Sequence, residues 1–238
     1  MDGSLPMNFL AWYVVFLFST SLHEAAHAVA ASFGGDRTAS TGGQATLNPI
    51  PHIRREKIGM IAAPILSFFL NRGTWMIGWA SAPFNPYWAA RCPKRSFVMS
   101  LAGPLAHLIP TVVSWGGMAV GIRYAFFSMD FGGTHIVRAF DPENSLAAAL
   151  ALLCSILFQL NLILCVFNLL PFPPMDGSEV WYLFLKSEES RLKLRHTLAG
   201  YGLAGLLLAW YVFPVVFRPI LNFAVIRLLA LGHGVYPP

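Results

Sequence analysis

Residues 21–31 read SLHEAAHAVAA, and they close an apolar stretch that begins near Met7. Within them His23, Glu24 and His27 form the pattern H-E-x-x-H. On a helix, residues four apart lie one turn apart on the same face, so both imidazoles can reach one ion. Glu24 then stands beside that ion, where it can handle the proton of a water molecule. Ionisable groups at membrane depth are expensive, and by default they mark a functional site whose partner must be named. The competing reading makes them polar residues packed inside a bundle. Metal binding is the stronger expectation.

A catalytic zinc site generally takes three protein ligands and leaves a fourth position for water. His52, His107, His135, His196 and His233 are scattered singly, and lone histidines are more often structural or surface residues than ligands. Asp176 is the better candidate for the third ligand. It lies in FNLLPFPPMDG, residues 167–177, where Pro171, Pro173 and Pro174 remove backbone donors and push their neighbours out of helix. Unwound backbone at membrane depth must be satisfied by protein or by a water-filled cavity, which would expose the carboxylate. The same stretch also reads as a proline-rich helix exit with Asp176-Gly177 as its turn. The two-histidine helix that lacks a third ligand favours the first reading.

These residues need a scaffold, and the composition says which kind. The chain has 238 residues, 56% hydrophobic and 11% charged, with a mean hydropathy of +0.58. That is outside the range of soluble globular domains. Apolar runs of spanning length occur at 7–33, 97–127, 145–170 and 197–217. Shorter runs at 58–70 and 219–231 suit re-entrant, tilted or interfacial elements as well as full spans. The expected fold is an all-α membrane protein, a polytopic bundle of about 4 to 6 transmembrane segments. A re-entrant or hairpin region is expected between the first two confident helices.

The net charge of +5 points to membrane topology and not to nucleic acid, because the basic residues cluster between apolar runs. If basic loops are cytoplasmic, 34–96 and 171–196 share that side, and 58–70 dips in and returns. The ends of the first and third confident helices, with their two motifs, then lie near one face. Residues 34–57, broken by Gly34, Gly35, Gly42, Gly43, Pro49 and Pro51, read as loop or short strand. Cys92, Cys154 and Cys165 read as free buried thiols. The first run is expected to be a retained helix and not a cleaved leader, since nothing basic precedes it. The chain is read as one domain, 1–238, with a core at about 7–180 and C-terminal helices at 197–238.

HEAAH at 23–27 followed by NLLPFPPMDG at 168–177 resembles the paired signatures of the site-2 protease family of intramembrane zinc metalloproteases. TLNPIPH at 46–52, APFNPYW at 82–88 and SLAGPLAH at 100–107 resemble further parts of its short prokaryotic form, which lacks an appended sensor domain. The similarity spans residues 10–180. It implies one Zn2+ per chain held by His23, His27 and Asp176, with Glu24 as catalytic acid/base and Asn168 as a polar group beside the site. Asn168 would hold substrate backbone or the oxyanion, or else cap the broken helix. Two departures stand out: His107 where the family often has asparagine, and Arg54-Arg55 where an acidic residue is usual.

The resemblance implies hydrolysis of peptide bonds within or near transmembrane segments of membrane-protein substrates, as in regulated intramembrane proteolysis. The expected partners are a transmembrane protein substrate and the lipid bilayer, with no nucleic acid. The expected location is a prokaryotic inner membrane with the active site toward the cytoplasm. The alternatives are a catalytically inactive metal-binding scaffold and a metal transporter.

Overall fold

A computed structural model describes residues 5–130 and 135–232; His233 lies outside them. Among the described residues, four helical stretches are long and apolar enough to cross a membrane: α1 (Leu5–Gly34), the stretch Pro93–Arg123, α8 (Ser145–Asn168) and α10 (Gly202–Gly232). Helix α1 carries no proline after Pro6, and Gly35, with φ of +101°, ends it in the left-handed turn that glycine adopts most readily. Its buried residues Trp12, Phe16, Ser19, His23 and His27 recur every three to four positions. The motif histidines thus lie on the same inward stripe as the aromatic core.

The region between the first two spans differs from a plain loop. Residues 34–57, expected to be loop or short strand, contain the short helices α2 (Thr38–Thr41) and α3 (Pro49–Arg55). The same Asn48-Pro49 pair that looked like a breaker starts α3: the Asn48 side chain accepts from the Ile50 N–H, and Pro49 occupies the first turn, where its missing donor does no harm. A π-helical turn, Ile58–Ala62, then leads into α4 (Ala63–Leu70). After a turn the chain runs back alongside it. The Trp79 N–H donates to the Gly59 carbonyl at 3.1 Å, and Ser67 Oγ holds both the N–H and the carbonyl of Ile77 at 2.8 and 3.1 Å. Gly59 and Gly78 permit this approach, since a Cβ on Gly78 would lie 2.4 Å from the Gly59 carbonyl oxygen. The expected hairpin is therefore a helix with an irregular return segment hydrogen-bonded alongside it. Asn85 then caps α5 (Pro86–Arg91), accepting from the Tyr87 and Trp88 N–H groups.

The run at 97–127 is two helices, α6 (Pro93–Ala106) and α7 (Leu108–Arg123), joined at His107. Pro104 lies inside α6, three residues before the join. A small antiparallel ribbon, β1 (Phe127–Met129) with β2 (Val137–Ala139), pairs Ser128 with Arg138. Ser155 Oγ of α8 accepts from the Ile136 and Val137 N–H groups at 3.2 Å each.

Beyond α8 a 3-10 helix (Asp176–Phe184) and α9 (Glu188–Ala199) precede α10. The run at 197–217 starts in the end of α9, and from Gly202 onward it and the run at 219–231 are one helix, continuous through Pro214 and Pro219. Interior prolines lose single hydrogen bonds, and in apolar helices neighbouring groups can compensate for them. The cysteines are free: Cys165 is buried, and Cys92 and Cys154 are half-buried.

Two charged clusters tie the connections to the bundle. Arg195 of α9 forms a two-pronged ion pair with the buried Glu179, which also accepts from Ser96 Oγ of α6 at 2.9 Å. The guanidinium lies 4.2 Å from the Tyr182 ring centroid. Asp36, 6% exposed, accepts from the Thr38 N–H at 3.0 Å, from the Thr38 hydroxyl, and from the Asn85 N–H at 2.7 Å. Burial pushes its carboxyl up, but these three donors outweigh that and hold it below its ordinary 3.8. A depressed folded-state value means the ionised network stabilises the fold above the unfolded value, and that stability is lost as pH falls below about 4. Thermal unfolding of the purified protein between pH 3 and pH 7 should therefore show a drop at the acid end that is smaller in Asp36→Asn, whose midpoint is already lowered at pH 7.

Candidate metal centre

Three elements meet at the site. Helix α1 presents His23, Glu24 and His27, α6 packs against them, and the unwound segment after α8 delivers Asp176. Two freed carbonyls of that segment are satisfied by protein: the Trp181 indole donates to the Pro171 carbonyl at 2.7 Å and the Met175 N–H to the Phe172 carbonyl at 2.8 Å. Gly177 follows the aspartate because a Cβ there would sit 2.3 Å from the Leu169 carbonyl oxygen. Gly205 of α10 abuts the Pro173 carbonyl just as closely.

The ligand-type atoms converge. Asp176 Oδ2 lies 3.1 Å from His23 Nε2 and 3.4 Å from His27 Nε2, and the two Nε2 atoms are 2.9 Å apart. Among the described residues this is the one group of three or more His, Cys, Asp or Glu side chains able to share an ion. Zinc with ligands at about 2.0–2.2 Å in tetrahedral geometry requires donor atoms roughly 3.3 Å apart. Burial supports the same reading. Asp176 Oδ2 is enclosed and accepts no well-aligned hydrogen bond, as is Glu24 Oε2. Buried polar atoms without partners are rare and call for an explanation such as an ion. The donor set of two imidazoles and a carboxylate suits zinc.

Gly103 completes the cradle. A Cβ at this position of α6 would lie 2.4 Å from His27 Nε2 and 2.7 Å from His23 Nε2. The glycine thus leaves clear the space the two donors face. His27 Nδ1 sits 2.8 Å from the Met99 carbonyl. A carbonyl only accepts, so Nδ1 carries the proton and Nε2 is left as the donor to a metal.

The remaining candidates separate. Asn168 ends α8 and its amide donates back to the Leu164 carbonyl one turn earlier at 3.0 Å, while its side chain also borders the site's cavities. His52 is buried on α3 against the Thr46 carbonyl just before that helix. His107, solitary in the sequence, is a buried, hydrogen-bonded residue outside the ligand group, and the sequence did not show its partner: its Nε2 lies 3.0 Å from His23 Nδ1. Its position in SLAGPLAH, where asparagine is usual, was the available signal.

Two cavities meet at these residues. One, of about 730 Å³, is walled by apolar groups including Trp12, Phe16, Leu160, Phe167 and Trp210, and it reaches His23 and Glu24. The other, of about 400 Å³, contains His23, Glu24, His27 and Asp176 with Ser81 and Ser100.

The sequence profile of peptidase family M50 matches residues 11–210. The chain belongs to this family, the site-2 proteases. "Putative zinc metalloprotease YwhC" of Bacillus subtilis (strain 168) is 32% identical over 177 residues, covering 74% of this chain and 69% of the relative. No solved structure gives a significant match. The M50 match covers α1 to the first part of α10, and the protein is a multi-pass membrane metalloprotease.

Gly103→Ala should lower zinc affinity at least tenfold, measured by chelator competition on purified protein, because its methyl group displaces both imidazoles. Asp176→Ala should leave substoichiometric zinc by metal analysis.

Proposed function

We propose that this chain is an intramembrane zinc endopeptidase, one Zn2+ per chain on His23, His27 and Asp176, that cleaves transmembrane segments of other membrane proteins. The observation that carries the reading is the meeting of the three donors and Glu24 where an apolar cavity joins a more polar one. An apolar substrate segment has a place to lie, and water has another route to the same point. Zinc, when bound, supplies Lewis-acid activation of water and polarisation of the scissile carbonyl.

The chain's own residues do the rest. Glu24, 4% exposed with one oxygen unpartnered, accepts a proton from the attacking water and returns it to the leaving amine. Asn168, at the junction of the two cavities, keeps its carbonyl oxygen for substrate backbone while its amide group donates back to the Leu164 carbonyl. The return segment at 76–80 borders the apolar cavity. Ile77 and Trp79 spend their N–H groups on the helix behind, whereas the Gly78 and Ala80 N–H groups have no partner among the described residues. An unwound substrate can pair with this edge, exposing its peptide bond.

The basic connections 34–96 and 171–196 support a cytoplasmic orientation of the site in a prokaryotic inner membrane. Regulated intramembrane proteolysis is the process such an activity serves. A transporter would carry ligand groups along a path, but among the described residues they gather at one point. An inactive scaffold has no need of Glu24.

The test is cleavage of a tagged single-span substrate in reconstituted membranes. Glu24→Gln should reduce cleavage roughly 10²- to 10⁴-fold with zinc content unchanged. Equal cleavage by the zinc-loaded variant would sink the proposal.

A further inference from the structure

Behind His23, on the side away from Asp176, lies a polar chain that neither the motif nor the hydrolytic reading accounts for. His23 Nδ1 is 3.0 Å from His107 Nε2, and His107 Nδ1 is 2.8 Å from Asn161 Oδ1. Asn161 Nδ2 donates to the Leu157 carbonyl at 2.8 Å and to Ser19 Oγ at 3.0 Å. His107, Asn161 and Ser19 are each 0% exposed. They come from the α6–α7 junction, α8 and α1, so the chain crosses the centre of the bundle.

Its proton positions follow from one end. The Leu157 carbonyl can only accept, so the Asn161 amide nitrogen must face it. The Asn161 oxygen is thereby turned to His107 and can only accept, so His107 Nδ1 carries a proton. A neutral imidazole has one N–H, which makes His107 Nε2 an acceptor. His23 Nδ1 must then be the donor, and His23 Nε2 keeps its lone pair, facing Asp176 and His27. We infer that His107 and Asn161 are positioning residues that hold His23 in the tautomer able to ligate the metal through Nε2.

His27 reaches the same state in one step, from the Met99 carbonyl. His23 has no carbonyl recorded against Nδ1 and relies on two side chains to transmit the direction of one. Outer groups that fix ligand tautomers typically change metal affinity 10- to 100-fold. Without an acceptor at position 107 the His23 proton shifts to Nε2, where it blocks coordination.

The inference rests on the metalloprotease reading, and zinc affinity by chelator competition tests both. His107→Leu should bind zinc roughly 10- to 100-fold more weakly. His107→Gln, whose carbonyl can accept from His23 while its amide donates to Asn161, should recover most of the loss. Asn161→Leu should weaken binding in the wild-type background but add nothing to His107→Leu, because it acts through His107. In zinc-loaded protein labelled with 15N-histidine, solid-state NMR should find His23 protonated at Nδ1 in wild type and in His107→Gln. Thermal melts identify variants that are merely unfolded, and in that event the wild-type NMR signature decides: a His23 without a proton on Nδ1 overturns the inference. So does a folded His107→Leu that binds zinc like wild type, or a folded His107→Gln no better than it. A wild type that binds no zinc would overturn the proposed function and the relay with it, whereas indifferent variants of a zinc-binding wild type would overturn the relay alone.

Discussion

Three electron-rich atoms, two imidazole nitrogens and a carboxylate oxygen, are held within 3.4 Å of one another inside an apolar bundle. Lone pairs brought so close repel unless a proton or a cation lies between them, and low dielectric magnifies the repulsion. Much of the structure meets this constraint. Gly103 leaves the shared space clear, and the Met99 carbonyl keeps the His27 proton on the far side of its ring. The arrangement makes sense as a seat for a divalent ion.

The same constraint explains the broken end of α8. A carboxylate on a continuous helix would be one more residue on that helix's surface. The prolines instead carry the chain out of the helix and back toward α1, and glycines allow tight packing on both sides. Gly177 lies against the unwound turn and Gly205 of α10 against the proline segment. The buried Glu179–Arg195 pair then anchors the stretch that follows Asp176. One aspartate is positioned by contacts from α6, α8, α9 and α10.

Much of the site was legible in the sequence because its signals are local. H-E-x-x-H needs only helical periodicity, and the proline cluster announces a break wherever it falls. What could not be read were contacts between distant segments. His107 looked solitary because Asn161 and His23 lie 54 and 84 positions away. In the fold, the four spanning helices were legible from apolar run length, and the hairpin from the basic residues on both sides of its short run. The short helices in 34–57 were missed because glycine and proline density was taken as a breaker, although Asn48-Pro49 is also a helix start. The join at 107 and the fusion through Pro214 and Pro219 depend on packing and on lipid, and run length is silent about both.

The two cavities that meet at His23 and Glu24 have a consequence for a hydrolase in a lipid setting. For the membrane-segment substrate proposed above, the two reactants dissolve in different phases, the peptide in oil and water elsewhere. The two cavities share His23, Glu24 and Asn168 in their linings, so the reacting groups stand where they meet. On this view selectivity begins with solubility: a segment polar enough to stay in water never wets the oily chamber, and one too greasy to unwind never reaches the damp one.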